Sequence, residues 1–449
     1  MNIGIQPILK ILCLFLCSLG LTSLAYAEKA EDAGRSIGQP IELVVRPGGE
    51  RSLTPLAVPD AKIDSGVSGV SDLDEKMRRS FELSGYFEVL GPDRFYFDVA
   101  NELFQNEIDY KNWSNVGAAG LVRTHVKKAE GGKVYLDFRL YDVVNNKEIS
   151  LKDWRPKTVS TSNIQRELYA FVNAVIAYYS GSPGPFGGRV TFAARGSGGY
   201  KQIYTMGIDG EDLKQVTKDR TIHLLPSWGP NRRVMYTSYK DNNPDLWIDD
   251  ASGPRKLVSY PGINSGAALS PDGKEIALTL SRDGSTEIYI VNLEGKILRR
   301  CTESSSEDLS PAWSPNGRQI AFVSDRAGGP QIFVMNRDCS NPQRVTMRGE
   351  YNVRPDWSPD GSRIAFTGRA GGRFDIFTVD PTSKEVRRIT QAQGSNFDPT
   401  WSPDGRYLMF ASTRGGGGAK LVLSTADGQI QHIVSERVSG VESPQWLRQ

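Results

Sequence analysis

One seven-residue pattern, Pro-x-Trp-Ser-Pro-Asp/Asn-Gly, occurs three times in this chain at a constant spacing. Its tryptophans are Trp313, Trp357 and Trp401, each 44 residues from the next. Weaker copies continue the register on both sides, at Trp228, Leu269 and Trp446. A period of about 40–45 residues with several short β-rich runs per unit is typical of a β-propeller blade. One such unit buries too little apolar surface alone, so the repeats predict blades that stack in a ring.

Each repeat predicts four strands. The tryptophan ends the first strand, and Ser-Pro-Asp/Asn-Gly makes the turn, because proline presets φ and Asp-Gly tolerates the tight exit. The following run, such as Ile320–Ser324, is apolar throughout, as expected for a strand between neighbouring blades. The chain enters the repeat at a second strand, Arg189–Ala194, and the missing first strand appears at Ser443–Leu447. The sequence therefore predicts six blades closed by the C-terminal strand.

The chain begins with an export signal. Lys10 precedes an apolar run from Ile11 to Leu24, and Ala25-Tyr26-Ala27 fits a small-x-small cleavage site. Residues 1–27 are therefore predicted to be a cleaved signal peptide, and the mature chain is expected to be exported without a membrane span. Cleavage removes Lys10 and no acidic residue, which lowers the formal charge from +2 to +1. This near-neutral balance does not favour nucleic-acid binding.

The mature chain divides into a leader, a small α/β domain and the repeats. Residues 28–39 are polar and predict a flexible leader, residues 40–180 an α/β domain, residues 181–188 a Pro- and Gly-rich linker, and residues 189–449 the propeller. Two helices stand out in the α/β domain, one beginning after Asp72 and one after Ser162, and both residues are predicted to cap them. The predicted fold class is thus an α/β N-terminal domain followed by an all-β six-bladed propeller.

Two cysteines remain in the mature chain, Cys301 and Cys339. An oxidising compartment favours a disulfide. However, Cys301 aligns with fourth-strand positions, whereas Cys339 aligns with the turn before a fourth strand, which places the two towards opposite faces of the ring. Bridged Cα atoms must lie within about 7 Å. The repeat therefore predicts two free thiols.

The chain resembles the TolB family of the Tol–Pal system. The resemblance includes Leu56-Ala57-Val58-Pro59-Asp60, Leu83-Ser84-Gly85-Tyr86-Phe87 and the repeats, and it covers essentially the whole mature chain. It implies a non-enzymatic, monomeric scaffold without cofactor or metal. It also implies that the propeller binds the peptidoglycan-associated lipoprotein Pal, that the leader engages the inner-membrane protein TolA, and that together they maintain envelope integrity during cell division.

Loops that lead into the first strand of each blade should ring the mouth of the central tunnel. Apolar residues beside polar ones suit a protein interface there, and by resemblance Pal would contact the Asn264 and Leu309 loops. The predicted Pal-binding residues are Leu224, Ile263, Asn264, Gly266, Leu309, Ser310, Arg354 and Asp398. The predicted TolA-binding residues of the leader are Glu28, Asp32, Arg35, Ser36 and Ile37.

A cation recurs at the end of each second strand. The six are Arg195, Lys240, Arg282, Arg326, Arg369 and Arg414. They predict either a collar that attracts an acidic partner or a brace in which each cation pairs with a nearby acid such as Asp308, Asp398 or Glu442. The brace is favoured because the cation recurs with the blade.

An exported propeller enzyme, such as a polysaccharide lyase or a peptidase-related protein, is the alternative. The leader contains Gly34-Arg35-Ser36-Ile37-Gly38, which matches G-x-S-x-G, but that chemistry needs a strand–turn–helix elbow and here Gln39-Pro40 follows. His125, His223 and His432 fall in different blades or domains, without metal-ligand spacing. No catalytic, cofactor-binding or metal-binding residue is therefore predicted.

Overall fold

The computed structural model of the chain describes residues 52–448 except 69, 71, 105, 106 and 197. The predicted signal peptide and leader lie outside these residues. The chain falls into two compact units that divide between Gly188 and Arg189, with Gly207–Glu211 grouped with the N-terminal unit. Within the described residues, no helix has both the length and the apolar character needed to cross a membrane.

The N-terminal unit contains a seven-stranded sheet. Its strands are β1 (Thr54–Ala57), β2 (Lys62–Ile63), β3 (Phe87–Leu90), β4 (Gly120–Lys128), β5 (Lys133–Asp142), β6 (Lys147–Ile149) and β7 (Lys157–Ser160). They follow the order β3-β1-β4-β5-β6, with β2 beside β4 and β7 beside β5. β1 pairs in parallel with β3 and β4, and β4 pairs antiparallel with β5. The sheet is thus mixed, as an α/β domain allows.

Four α-helices accompany this sheet: α1 (Leu73–Ser84), α2 (Val99–Phe104), α3 (Tyr110–Asn115) and α4 (Ile164–Ser180). Asp72 holds the predicted N-cap position of α1, whereas the cap predicted at Ser162 is wrong. The Asp72 carboxylate makes no capping hydrogen bond because Lys76, one turn later, holds it at 2.9 Å. Ser162 lies inside a 3-10 turn, so Asn163 is the residue that precedes α4. Both helices end at a left-handed glycine, Gly85 or Gly181.

The propeller contains six four-stranded sheets. Blade 1 joins β8 (Arg189–Arg195), β9 (Lys201–Gly207) and β10 (Lys214–Gln215) to β31 (Glu442–Trp446). Blade 2 is β11 (His223–Trp228), β12 (Val234–Ser238), β13 (Asp245–Asp250) and β14 (Gly253–Val258). Blade 3 is β15 (Asn264–Leu269), β16 (Ile276–Leu280), β17 (Glu287–Val291) and β18 (Ile297–Arg300). Blade 4 is β19 (Asp308–Trp313), β20 (Gln319–Ser324), β21 (Gln331–Asn336) and β22 (Gln343–Arg344). Blade 5 is β23 (Asn352–Trp357), β24 (Ile364–Ala370), β25 (Arg373–Val379) and β26 (Val386–Arg388). Blade 6 is β27 (Asn396–Trp401), β28 (Tyr407–Ser412), β29 (Lys420–Thr425) and β30 (Gln431–Ile433).

The predicted ring closure is confirmed. β31 pairs antiparallel with β8, with Glu442 opposite Ala193 and Trp446 opposite Val190. The C-terminal strand is therefore the innermost strand of blade 1, whose other three strands follow the N-terminal unit in the chain. This arrangement confirms the predicted fold class of an α/β domain and a six-bladed propeller.

The Ser-Pro-Asp-Gly turns work as their residue types predict. In blade 5 the Ser358 hydroxyl donates to Asp360 at 2.6 Å and accepts from the Arg363 amide at 2.9 Å. Gly361 has a φ of 74°, which favours glycine. The same serine–acid contact recurs between Ser402 and Asp404 at 2.5 Å.

Each innermost strand carries a bulge near its start. At or beside the bulge one residue has a left-handed φ between 51° and 62°: Leu225, Gly266, Ser310, Arg354, Asp398 and Ser443. Only one of the six is glycine, so five blades hold an L-residue in a conformation that L-residues disfavour. Ser310, Arg354 and Asp398, which are predicted to contact Pal, are among these five.

The prediction of two free thiols is wrong, because Cys301 and Cys339 form a disulfide with their Cα atoms 4.8 Å apart. The alignment placed both residues correctly within their blades but ignored contacts between blades. The turn before each fourth strand packs on the end of the preceding blade's fourth strand. Blades 2 and 3 meet in the same way: a Cβ on Gly295, in the turn before β18, would collide with the carbonyl oxygen of Leu257 in β14. Because sheets twist, the end of an outer strand reaches the next blade.

Candidate functional site

The strand order gives the propeller two distinct faces. Innermost strands begin, and second strands end, on the face that we call the mouth face. Its loops join each fourth strand to the next blade and each second strand to the third. The opposite face carries the turns between first and second strands and between third and fourth strands, and we call it the turn face. The predicted Pal-binding residues lie where the innermost strands start at the mouth face.

Four of the eight predicted Pal-binding residues line a cavity of about 990 Å³ along the innermost strands. They are Gly266, Ser310, Arg354 and Asp398. The lining continues from these bulge residues along the strands to the turns that follow, including Pro315. These four residues therefore face the tunnel.

The other four predicted residues are buried and are not part of that lining. Leu309 packs in a cluster with Val353 and Val323. The Asn264 side chain braces its own loop, since its amide donates to the carbonyl oxygens of Tyr260 at 2.8 Å and Gly262 at 3.0 Å. Leu224 and Ile263 are each 9% exposed. These side chains support the mouth-face loops from beneath.

Four charged side chains of the cavity form two ion pairs. Arg354 donates to Asp398 at 3.2 Å, and the Ser443 amide donates to the same carboxylate at 2.8 Å. Arg448 donates to both oxygens of Asp356 at 2.7 Å. Burial raises the pKa of Asp356, and the Arg448 guanidinium opposes that shift. Because β31 belongs to blade 1 and Asp356 to blade 5, the second pair links blades on either side of blade 6.

The recurring cations at the ends of the second strands include braces of the predicted kind. Arg326 donates to Asp308 at 2.7 Å, and Arg282 pairs with Asp283 at 3.2 Å, whereas Arg414 donates to the side-chain amide oxygen of Asn396 at 3.0 Å rather than to an acid. Lys240 lies over the Trp247 ring, 5.2 Å from its centroid, and Arg282 also lies over the Tyr260 ring at 5.0 Å. The two other acids named as partners bind different cations: Asp398 pairs with Arg354, and Glu442 with Lys201.

Sequence reasoning missed the exposed apolar residues of the mouth face. Tyr200 follows β8, Ile222 precedes β11, and Met347 lies between β22 and β23. Their exposed fractions are 41%, 42% and 59%. The two other large hydrophobic side chains exposed on the described part of the propeller, Leu298 and Val386, lie on fourth strands at the outer edge. Reading the loops before the innermost strands for isolated apolar residues would have found Ile222 and Met347.

The three histidines lie apart from one another. His125 contacts Asp64 at 2.9 Å, and His223 contacts Asp219 at 2.7 Å. Burial lowers the pKa of His223. His432 is buried in β30. Across the described residues, no group of three or more His, Cys, Asp or Glu side chains is placed to hold a metal ion. The predicted TolA-binding residues Glu28, Asp32, Arg35, Ser36 and Ile37 lie outside the described residues.

Sequence comparisons identify both units. A family model described as the TolB beta propeller domain matches residues 178–448, and one described as the TolB amino-terminal domain matches residues 42–149. A Tol-Pal system protein TolB from Anaeromyxobacter dehalogenans is 35% identical over 257 residues, which cover 56% of this chain and 57% of that protein. A protein of the same name from Desulfosudis oleivorans is 34% identical over 267 residues, 56% of this chain and 58% of the relative. The chain thus matches a little over half the length of these relatives.

A solved structure shares the whole architecture. The crystal structure of TolB from Acinetobacter baumannii has a TM-score of 0.73 against this chain and covers 91% of it and 100% of its own chain. The two sequences are 24% identical. At that identity the likeness shows the fold alone.

Proposed function

The chain belongs to the TolB β-propeller family, and from this membership we propose that it is a non-catalytic docking protein of the Tol–Pal system. In this proposal the mouth face binds the lipoprotein Pal, and the leader at residues 28–39 engages TolA. The chain acts in the periplasm after cleavage of residues 1–27. By holding these partners it maintains envelope integrity and supports outer-membrane constriction during cell division.

One observation carries the choice of the mouth face: Tyr200, Ile222 and Met347 are exposed in its loops. Protein interfaces have an apolar centre surrounded by polar residues, and aromatic residues and methionine are enriched there. The exposed Leu298 and Val386 lie instead on short outer strands. On the described part of the propeller, the exposed large apolar side chains outside the short outer strands therefore all lie in loops of the mouth face.

The residues predicted from the sequence then act in two ways. Leu224, Ile263 and Leu309 are buried, so they hold the loops in the shape that the partner meets. Arg354 and Asp398 satisfy each other inside the cavity, so they position the strand starts rather than attract a charged partner. The direct contacts come from the loops above them.

A pull-down from envelope extract tests the binding face. The bait is the mature chain, unmodified or with Ile222→Asp, Met347→Asp or Leu298→Asp. Leu298 is the matched control, since it is 49% exposed but lies on β18 at the outer edge. We expect the unmodified and Leu298→Asp chains to recover Pal, and each mouth-face variant to bind about tenfold less, as for loss of an interface anchor. Equal recovery by all four chains would refute the assignment of this face.

The leader is tested separately. Deletion of residues 28–39 should abolish recovery of TolA and leave recovery of Pal unchanged, because the two partners use different parts of the chain. Undiminished TolA recovery by the shortened chain would refute the role of the leader while leaving the mouth-face proposal intact.

A further inference from the structure

One polar contact recurs between neighbouring blades at the mouth face. In blades 3, 5 and 6 the innermost strand begins with asparagine. The side-chain amide of that asparagine donates to a side chain near the start of the third strand of the preceding blade. The pairs are Asn264 to Asp245 at 3.5 Å, Asn352 to Gln331 at 2.8 Å, and Asn396 to Asp375 at 3.2 Å. In each pair a donor meets an acceptor.

Blade 4 departs from this pattern because its innermost strand begins with Asp308, and the corresponding residue of blade 3 is Glu287. The backbone register is the same. The backbone N–H of Asp308 donates to the Thr286 carbonyl oxygen at 2.9 Å. In the same way, the backbone N–H of Asn352 donates to the Pro330 carbonyl oxygen at 2.8 Å. Both side chains are fully buried. Two carboxyl groups therefore occupy a position where blades 3, 5 and 6 place a side-chain amide beside an acceptor.

Among the described residues, hydrogen-bond geometry gives protein donors to one oxygen of each carboxyl group. Glu287 Oε1 accepts from Arg300 at 3.1 Å and from the Ser304 amide at 2.9 Å. Asp308 Oδ2 accepts from Arg326 at 2.7 Å. By hydrogen-bond geometry, Glu287 Oε2 and Asp308 Oδ1 are buried without a partner among the described residues. An unpaired buried carboxylate oxygen is costly, and each of these two side chains carries one.

We propose that Glu287 and Asp308 share one proton between these two oxygens and that this carboxyl pair makes the mouth face respond to pH. A proton taken from solvent converts one carboxylate to a carboxylic acid, whose O–H then donates to the other. The pair falls from two negative charges to one and gains the donor that the other blades obtain from asparagine. The bond ties β17 to β19 across the loop that joins blades 3 and 4. The effect on partner binding rests on the function proposed above.

The surrounding groups set the direction of the response. Burial and the charge of Glu287 together raise the pKa of Asp308 to about 6, against the opposing effects of the Ser324 and Thr302 hydroxyls and the Arg326 guanidinium. The remaining charged groups around the pair are Arg300 with Glu303, Glu307 beside Thr286, and Asp325, which accepts from the Glu307 amide. An acid whose pKa is higher in the folded than in the unfolded chain binds protons preferentially to the folded chain. Stability from this pair therefore rises as the pH falls through about 6.

Urea unfolding of the mature chain at pH 7 and pH 5 tests the carboxyl pair. For the unmodified chain we expect the unfolding equilibrium constant to fall about tenfold between these pH values because of this pair. Asp308→Asn gives blade 4 the asparagine of its neighbours, and Glu287→Gln gives blade 3 the glutamine that Gln331 provides in blade 4. Both variants should lose that tenfold step. Asp375→Asn, at the position corresponding to Glu287 but opposite Asn396, is the control and should keep it.

Infrared spectroscopy and binding separate the remaining outcomes. A carboxylic-acid band that appears on acidification of the unmodified chain and is absent from Asp308→Asn supports the shared proton. Identical pH profiles for these two chains would overturn it. Pal should bind more tightly at pH 5.5 than at pH 7 to the unmodified chain and equally at both to Asp308→Asn. If stability depends on pH but Pal binding does not, the regulatory role is overturned. If Pal does not bind at either pH, the proposed function is refuted and the unfolding result is unaffected.

Discussion

The pairing of Arg448 with Asp356 gives a quantitative test of how the C-terminal strand fastens the ring. Arg448 donates to both carboxylate oxygens and to the Trp357 carbonyl oxygen, each at 2.7 Å. Arg448→Ala leaves a buried carboxylate whose other donors include the Trp401 amide at 2.8 Å. Removing one partner of a buried ion pair costs about 3–5 kcal/mol. Because the Arg448 side chain is 37% exposed, solvent screening lowers the expected loss to about 2 kcal/mol.

The assay is urea unfolding followed by tryptophan fluorescence at pH 7.5. Asp356→Asn in the Arg448→Ala background should recover about 1 kcal/mol, because the uncompensated charge is then gone. Without Arg448, burial keeps raising the pKa of Asp356 with less opposition, so the loss should shrink as the pH falls. Arg387→Ala is the control, since its pair with Glu385 is on the surface, where solvent screening leaves an ion pair little net stability. An Arg448→Ala loss no larger than that of Arg387→Ala would refute the argument.

Two further predictions concern contacts between blades. Thiol titration of the denatured, unreduced mature chain should detect no free thiol, and two titratable thiols would contradict the disulfide. Cys301→Ser should destabilise the propeller by about 2–4 kcal/mol, because the bridge closes a long loop. Gly295→Ala should lower the melting temperature clearly more than Gly284→Ala. Both glycines have positive φ, but only a Cβ on residue 295 would collide with a neighbouring atom, the Leu257 carbonyl oxygen. Overpacking of this kind costs about 1–3 kcal/mol. Equal melting temperatures for the two variants would show that the inter-blade packing is looser than described.

The features that repeat along the chain could be predicted from the sequence. The 44-residue spacing of Trp313, Trp357 and Trp401 places equivalent strands in every blade, and the incomplete first repeat requires a strand from the other end. β31 supplies it. Such predictions succeed because each blade must use the same turn and the same buried strand.

The features that depend on neighbouring blades could not be predicted in this way. Cys301 and Cys339 meet because a turn of one blade reaches the outer strand of the blade before it, and an alignment of repeats contains no such information. Leu309 has the expected place at the start of a strand but points into the packing between blades. In the N-terminal unit, α2 and α3 are six residues each, too short for a helical period to stand out.

Hydrogen exchange measured by mass spectrometry, with and without the soluble part of Pal, tests most directly the claim that the mouth face is the docking surface. The account predicts that Pal slows exchange in the loops at 198–200, 216–222 and 345–351, which carry Tyr200, Ile222 and Met347. Exchange in the turns of the opposite face, such as 229–233 and 358–363, should not change. Protection confined to those turns or to the N-terminal unit would contradict it.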